Sequence, residues 1–338
     1  MSGLKRFFAL GQENSIFKFI IDTRNIVAGA TNGSENPLTF RFPIFHSSAN
    51  PVNCILKVSD GRPDIVLNSS NISTPLLFST AGIYTITMIG SGGNFQATNV
   101  AGYDIRKIIS VDSWSSKINF INFNGCVNCE FLATNILMLP SNASGFFANT
   151  KGFPSQDLSN IIVRDVTTAP NILQNVPTKF KKLFNPFWSN LTSGAQLYTG
   201  LDVTELEILE IRSNSVTTIT GLLTGTRRNF YGKIILDTPN LTNIGGLCYY
   251  FNAPPALDKC DVSNVTTTLN FLFTSMATVR VDATLIAWSN LPYMQSGVTW
   301  NWLNSKYSNN PAVIAALNKI TNEWGVIFTN LTMALKNK

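Results

Sequence analysis

One histidine, His46, five cysteines and one compact acidic group, Asp202, Glu205, Glu207 and Glu210, are the side chains of this sequence best suited to chemistry. A single imidazole excludes sites built on two, which removes most zinc hydrolases, and leaves a Ser-His-Asp triad only with His46 as base. The simpler reading of His46 is a half-buried strand-edge residue. Cys126-Val-Asn-Cys129 has metal-like spacing but no second pair, and Cys248 and Cys260 fall at repeat positions where an apolar residue is expected. With Cys54 they read as buried thiols. A carboxylate pair roughly 5 to 9.5 Å apart in a groove would suit glycoside hydrolysis. On a strand from Leu206 to Ile211, however, alternation sends Glu205 and Glu207 to one face, with Leu206 and Ile208 turned the other way, and Leu209 with them if the alternation breaks there. The acidic group therefore reads first as a solvated strand face, and Asp282 as a helix N-cap ahead of Leu285 and Trp288. No catalytic residue, metal site or cofactor is expected.

Aromatic side chains offer a different chemistry, because flat rings stack on sugars while Asn, Thr and Asp hold hydroxyls. Tyr249-Tyr250-Phe251 and Trp300-Asn-Trp302 are the densest groups, and Phe184 to Trp188, broken by Pro186, is a third. Tyr249, Tyr250, Trp300, Trp302 and Trp188 are thus candidate contacts for a glycan or a partner, with a place in the core as the standing alternative. Lys5, Arg6, Phe7 and Phe8 join charge to apolar anchors, as a docking arm does; a disordered terminus has the same composition.

What must position these groups is a chain of 338 residues, 44% hydrophobic and only 13% charged, whose polarity comes largely from Asn, Ser and Thr. Those residues favour turns and strands over helix interiors, so an all-helical fold is not expected. The net charge of +6 is spread thinly, with Lys179, Lys181 and Lys182 the one compact basic group, and no stripe of the kind nucleic-acid binding requires. No window approaches a membrane span, and Met1 to Leu10 is too short in apolar residues for a signal-peptide core, so neither membrane insertion nor export by the host cell is expected.

After an arm over residues 1–14, residues 15–112 alternate apolar runs (Ile16 to Ile21, Leu38 to Phe45, Cys54 to Val58, Ile83 to Ile89) with breakers such as Asn32-Gly33 and Asp60-Gly61. That spacing predicts an antiparallel β-sandwich. Over residues 113–280 a different order appears. Asp165-Val-Thr, Asn190-Leu-Thr, Ser215-Val-Thr, Asn240-Leu-Thr and Asn264-Val-Thr have middle residues at 166, 191, 216, 241 and 265, steps of 25, 25, 25 and 24. Six residues after each middle residue comes a bulky pair, such as Ile172-Leu173 or Leu197-Tyr198, and a weaker copy of the tripeptide stands at Asn142-Ala-Ser144. A period in this range with one strand per unit predicts a short leucine-rich-repeat-like solenoid whose Asn and Thr side chains bond neighbouring turns. Residues 281–338, with helical patterns at Asp282 to Trp288 and Pro311 to Lys319, form its partly helical cap. The chain is expected to be mainly β.

Asp261-Val-Ser-Asn-Val-Thr266, followed by Leu269 and Phe271-Leu-Phe273, resembles the repeat unit of BspA-like leucine-rich-repeat surface proteins, the type also found in Mycoplasma lipoproteins. Phe78-Ser-Thr-Ala-Gly-Ile-Tyr-Thr-Ile-Thr87 looks like a strand of the PKD-like sandwich that precedes such repeats. Ile108 to Trp114 looks like the junction into the first repeat, and Val281 to Trp288, Gln295 to Thr299 and Asn304 to Tyr307 like the C-terminal cap. Cys260 departs from the family, which usually has Trp there. The resemblance implies recognition or scaffolding rather than catalysis, and, with no export segment, a bacteriophage structural protein in the virion, in contact with other virion proteins and with copies of itself, and with a host glycan or protein as a further partner. A bacterial cell-surface adhesin is the alternative, and a polysaccharide depolymerase a third.

Overall fold

The computed structural model describes residues 15–26, 35–97, 104–184, 187–222, 233–244, 257, 259–260, 262–266, 269–270 and 276–334, and the chain is mainly β, with strands far outnumbering helices. It divides into two compact units, residues 1–140 with 150–155, and residues 141–149 with 156–338.

In the first unit β1 (Ile16–Asp22), β2 (Thr39–Phe40), β3 (Ile44–Phe45), β4 (Val52–Val58), β5 (Ile65–Asn68), β6 (Leu76–Leu77), β7 (Ile83–Gly92), β8 (Asn94–Gln96), β9 (Ile108–Ser113), β10 (Asn119–Asn122), β11 (Glu130–Phe131) and β12 (Leu137–Met138) follow one another. Six strands pair in the order β11-β9-β1-β7-β4-β5, antiparallel except for β11 on β9, and β10, β8 and β3 form a second sheet. Strict alternation in β1, β4 and β7 buries Phe17, Phe19 and Ile21, then Cys54 and Leu56, then Tyr84, Ile86 and Met88 on one face. The chain leaves the large sheet at Gly93, held at φ 65°, where a Cβ would stand 2.7 Å from the Phe45 carbonyl oxygen. Phe95 and Phe120 of the smaller sheet then meet Phe17 edge-on at 5.1 and 5.0 Å. Trp114, Phe123 and Phe131 extend the same cluster, with Trp114 5.3 Å from Phe120 and 5.7 Å from Phe131. These aromatic contacts carry the unit past residue 112, where the sequence suggested that it would stop, and on through Pro140.

The second unit is built from parallel neighbours about 25 residues apart. Its strands are β13 (Ile161–Ile162), β14 (Ile208–Arg212), β15 (Lys233–Asp237), β16 (Lys259–Cys260), β17 (Leu269–Asn270), β18 (Thr299–Tyr307) and β19 (Ile327–Met333). β14, β15 and β16 pair in parallel, with Ile211 on Leu236 and Leu236 on Cys260. The repeated tripeptides form a second ladder. The amide of Thr167 donates to the Ser141 carbonyl at 2.8 Å, Thr192 to Thr167 at 3.4 Å, Thr217 to Thr192 at 3.2 Å, Thr242 to Thr217 at 3.0 Å and Thr266 to Thr242 at 2.9 Å. In four of these steps, all but Thr217 to Thr192, the threonine hydroxyl donates to the same carbonyl as well. The residue before each threonine, Val166, Leu191, Val216, Leu241 and Val265, is fully or almost fully buried. Four of the five tripeptides therefore supply a backbone bond and a threonine hydroxyl bond, and all five a buried side chain stabilising by about 1.5–3 kcal/mol.

Two further positions recur with left-handed backbone: Gly145, Asn171, Gln196 and Gly221, at φ between 54° and 62°, and Asn149, Asn175 and Gly200. Glycine and asparagine are the residues that tolerate this conformation best. A column of small polar residues also runs through the interior, with Ser213, Thr238 and Ser263 all buried. The Thr238 hydroxyl has no hydrogen-bond partner among the described residues. Replacing Thr238 by valine keeps the shape and removes the stranded group, and is expected to raise stability by about 1 kcal/mol in chemical denaturation; a loss of stability would show that the hydroxyl is bonded.

The helix Thr278–Ser289 buries Val281, Leu285 and Trp288 at helical spacing. Its N-cap position is Ala277, so Asp282 lies one turn inside the helix, where its carboxylate accepts the Ser308 amide at 2.9 Å instead of capping its own helix. The second helix, Pro311–Asn318, has proline at its first turn, and the Asn310 side chain accepts the Ala312 amide at 3.0 Å.

Candidate functional site

Burial decides most of the candidate residues. Trp300 and Trp302 do share a side of β18, and that side faces the core: Trp288 packs on Trp300 at 4.4 Å and on Trp302 at 5.9 Å, and both rings are at most 1% exposed. Trp188 is likewise fully buried, edge-on to Phe184 at 5.8 Å. None of the three can offer a face to a sugar, which corrects the glycan reading for these residues. Tyr249 and Tyr250 lie outside the described residues, as do Lys5, Arg6, Phe7 and Phe8. Of the 184–188 cluster Phe187 is the exposed ring, at 53%, with the Arg212 guanidinium 5.3 Å from its centre.

Cys54, Cys126, Cys129 and Cys260 are buried thiols, and Cys248 lies outside the described residues. Burial pushes the Cys54 thiol up to about 11 and those of Cys126 and Cys129 well above the usual range, so the thiolate that would bind a metal or attack a substrate is disfavoured. His46 is exposed and follows β3 instead of sitting half-buried at a strand edge. Among the described residues no three His, Cys, Asp or Glu side chains converge as a metal site would need.

The acidic group sits on the exposed side of the parallel ladder. The strand begins at Ile208, later than expected, and its buried residues are Leu209 and Ile211; Ile208 points outward at 47% exposure, which corrects its assignment to the inner face. Lys179 stands 3.7 Å from Glu205 and Arg212 is 2.6 Å from Glu210, so two of the three glutamates face cations. Lys182 in turn meets Asp157 at 3.8 Å. Arg212 is in register with Asp237 of the neighbouring strand β15 on one side and with Phe187 on the other. The result is a surface of alternating charge and apolar side chains, suited to contact with another surface.

A buried ion pair lies elsewhere, in the first unit, and no spacing argument pointed to it. Asp104 and Lys107 are buried to within 1% and pair at 3.2 Å. The Lys107 ammonium also donates to the Asn36 and Thr39 carbonyls, both at 2.8 Å, and the Asp104 carboxylate accepts the Arg41 amide at 2.7 Å. Burial raises the Asp104 pKa and lowers that of Lys107, each against the pull of its partner. The only sequence signal is their three-residue separation. Comparisons with known protein families, with curated proteins and with solved structures return no match.

Proposed function

We propose that the chain is a non-enzymatic structural protein of a bacteriophage virion, at a capsid vertex, in a head fibre or in the tail. In this reading the first unit is a β-sandwich and the second a short leucine-rich-repeat-like solenoid with a partly helical cap, presenting a surface for subunit contacts or attachment to a host glycan or protein. The observation that carries it is the ladder at steps of 24 to 26 residues, in which threonine hydroxyls and amides bond the preceding repeat. That construction stacks units to make surface, and within the acidic group Glu205 and Glu210 pair with Lys179 and Arg212. The motif resemblance to BspA-like repeats supports the same class, and the low charge content suits a chain that buries surface against other virion proteins and copies of itself.

The test is mass spectrometry of purified particles from the source culture, set against the washed cell envelope. The expected result is the chain at fixed stoichiometry in particles. Recovery from the envelope alone overturns the virion reading and points to the adhesin.

A further inference from the structure

The outward face of the six-stranded sheet carries one continuous apolar row, apart from Ile20 and Ile83, which lie farther along β1 and β7. Strand register sets Val66 beside Ile55, Ile55 beside Ile89 and Ile89 beside Ile16, all on the face opposite the core. Val66 is 62% exposed, Ile55 42% and Ile16 41%. The rows on either side are hydrophilic: Asn68, Asn53 and Ser91 on one, Lys57, Thr87 and Lys18 on the other, with Asp64 and Asp112 3.4 and 3.7 Å from the two lysines. Four branched apolar side chains crossing four strands, bounded by polar rows, make a bordered stripe of the kind that marks an interaction site.

The geometry points to the chain's own first fourteen residues as the occupant of this stripe. Ile16, at one end of the row, is where the arm joins the sheet, and the Ser15 carbonyl already accepts the Gly90 amide at 3.1 Å. The row spans three inter-strand gaps, about 14 Å. The residues between Leu10 and Ile16 reach about 17 Å when extended, and Gly11 allows the chain to reverse there. The segment brought back is Phe7-Phe8-Ala9-Leu10, an apolar run matching an apolar row, with Lys5 and Arg6 beyond it. The inner face has no room for it, since Phe17 and Phe19 are completely buried there.

Lys5 and Arg6 make the proposal testable by trypsin, with cleavage after them followed by mass spectrometry on the full chain and on a peptide of residues 1–15. Docking is expected to slow cleavage in the protein about tenfold relative to the peptide. The variant Ile55→Thr with Val66→Thr keeps branched strand formers at exposed sites and is expected to restore the peptide's rate without loss of the folded circular-dichroism spectrum. If the pair does unfold, Val66→Thr alone at the sheet's edge serves, with partial release expected. Equal rates for protein and peptide overturn the proposal, as does protection that survives the threonine variants. Protection lost on dilution overturns it too, by assigning the arm to a second copy.

Discussion

Asp104→Asn is expected to destabilise the first unit by about 3–5 kcal/mol, because it leaves the Lys107 ammonium buried with two carbonyls and no counter-charge. Lys107→Met is expected to cost a similar amount at pH 7, with a distinctive pH dependence. Burial already raises the Asp104 pKa, and removing the ammonium raises it further. A carboxyl whose folded pKa lies above its unfolded value favours the fold at low pH and loses that contribution as pH rises through the folded value. The deficit of Lys107→Met relative to the parent should therefore shrink on going from pH 7 to pH 4. Replacing both residues by apolar ones of similar size removes the desolvation penalty together with the attraction, and should come within about 1 kcal/mol of the parent or exceed it. Urea titrations of the four proteins at two pH values decide the matter; additive single effects in the double variant would mean that the two charges are not coupled.

Deletion of Thr192 to Val216 removes one repeat and joins Leu191 to Thr217. The amide of Thr217 then falls to the Thr167 carbonyl, Gly221 enters the left-handed position of Gln196, and Phe187 comes opposite Asp237. Because each repeat is stabilised by its neighbours, the shortened protein is expected to melt cooperatively with a midpoint lowered by about 5–10 °C. Deleting the twelve residues Thr192 to Val203 is expected to abolish that transition. It places branched Ile208 in the left-handed position of Gln196 and Glu210 where Tyr198 is buried. The shorter deletion doing the greater damage is a result that only a register-dependent stack produces; the reverse order would show that the second unit does not depend on register.

That register was legible in the sequence because one tripeptide reports three things at once: a backbone bond, a side-chain bond and a buried residue. Where a single residue type carried the signal, it was weaker. The left-handed positions are plain at Gly145, Asn171 and Gly221 but hidden at Gln196, whose type gives no hint of a positive φ. Alternation placed Trp300 and Trp302 on one side of their strand and said nothing of which side, since that depends on Trp288 arriving from another element. The first unit's continuation past residue 112 is not marked in the sequence, because Phe120 finds its partners Phe17 and Phe95 across longer sequence separations and Trp114 joins them through Phe120. Branched Val279 and Val281 disguised the first turn of the helix and moved its apparent start to Asp282. The Asp104–Lys107 pair was invisible for a related reason: nothing local says that two charged residues will be covered.

The ladder of threonine bonds also sets how the second unit responds to force. Its hydrogen bonds run from one repeat to the next, so tension between the first and last repeats loads each set of bonds lengthwise, in the geometry of peeling. Rupture then proceeds one repeat at a time at low force, and each released repeat of 25 residues pays out about 85 Å of slack chain. A particle carrying such an element on its surface would hold a yielding tether, one that lengthens in steps under drag and recoils when the pull ends.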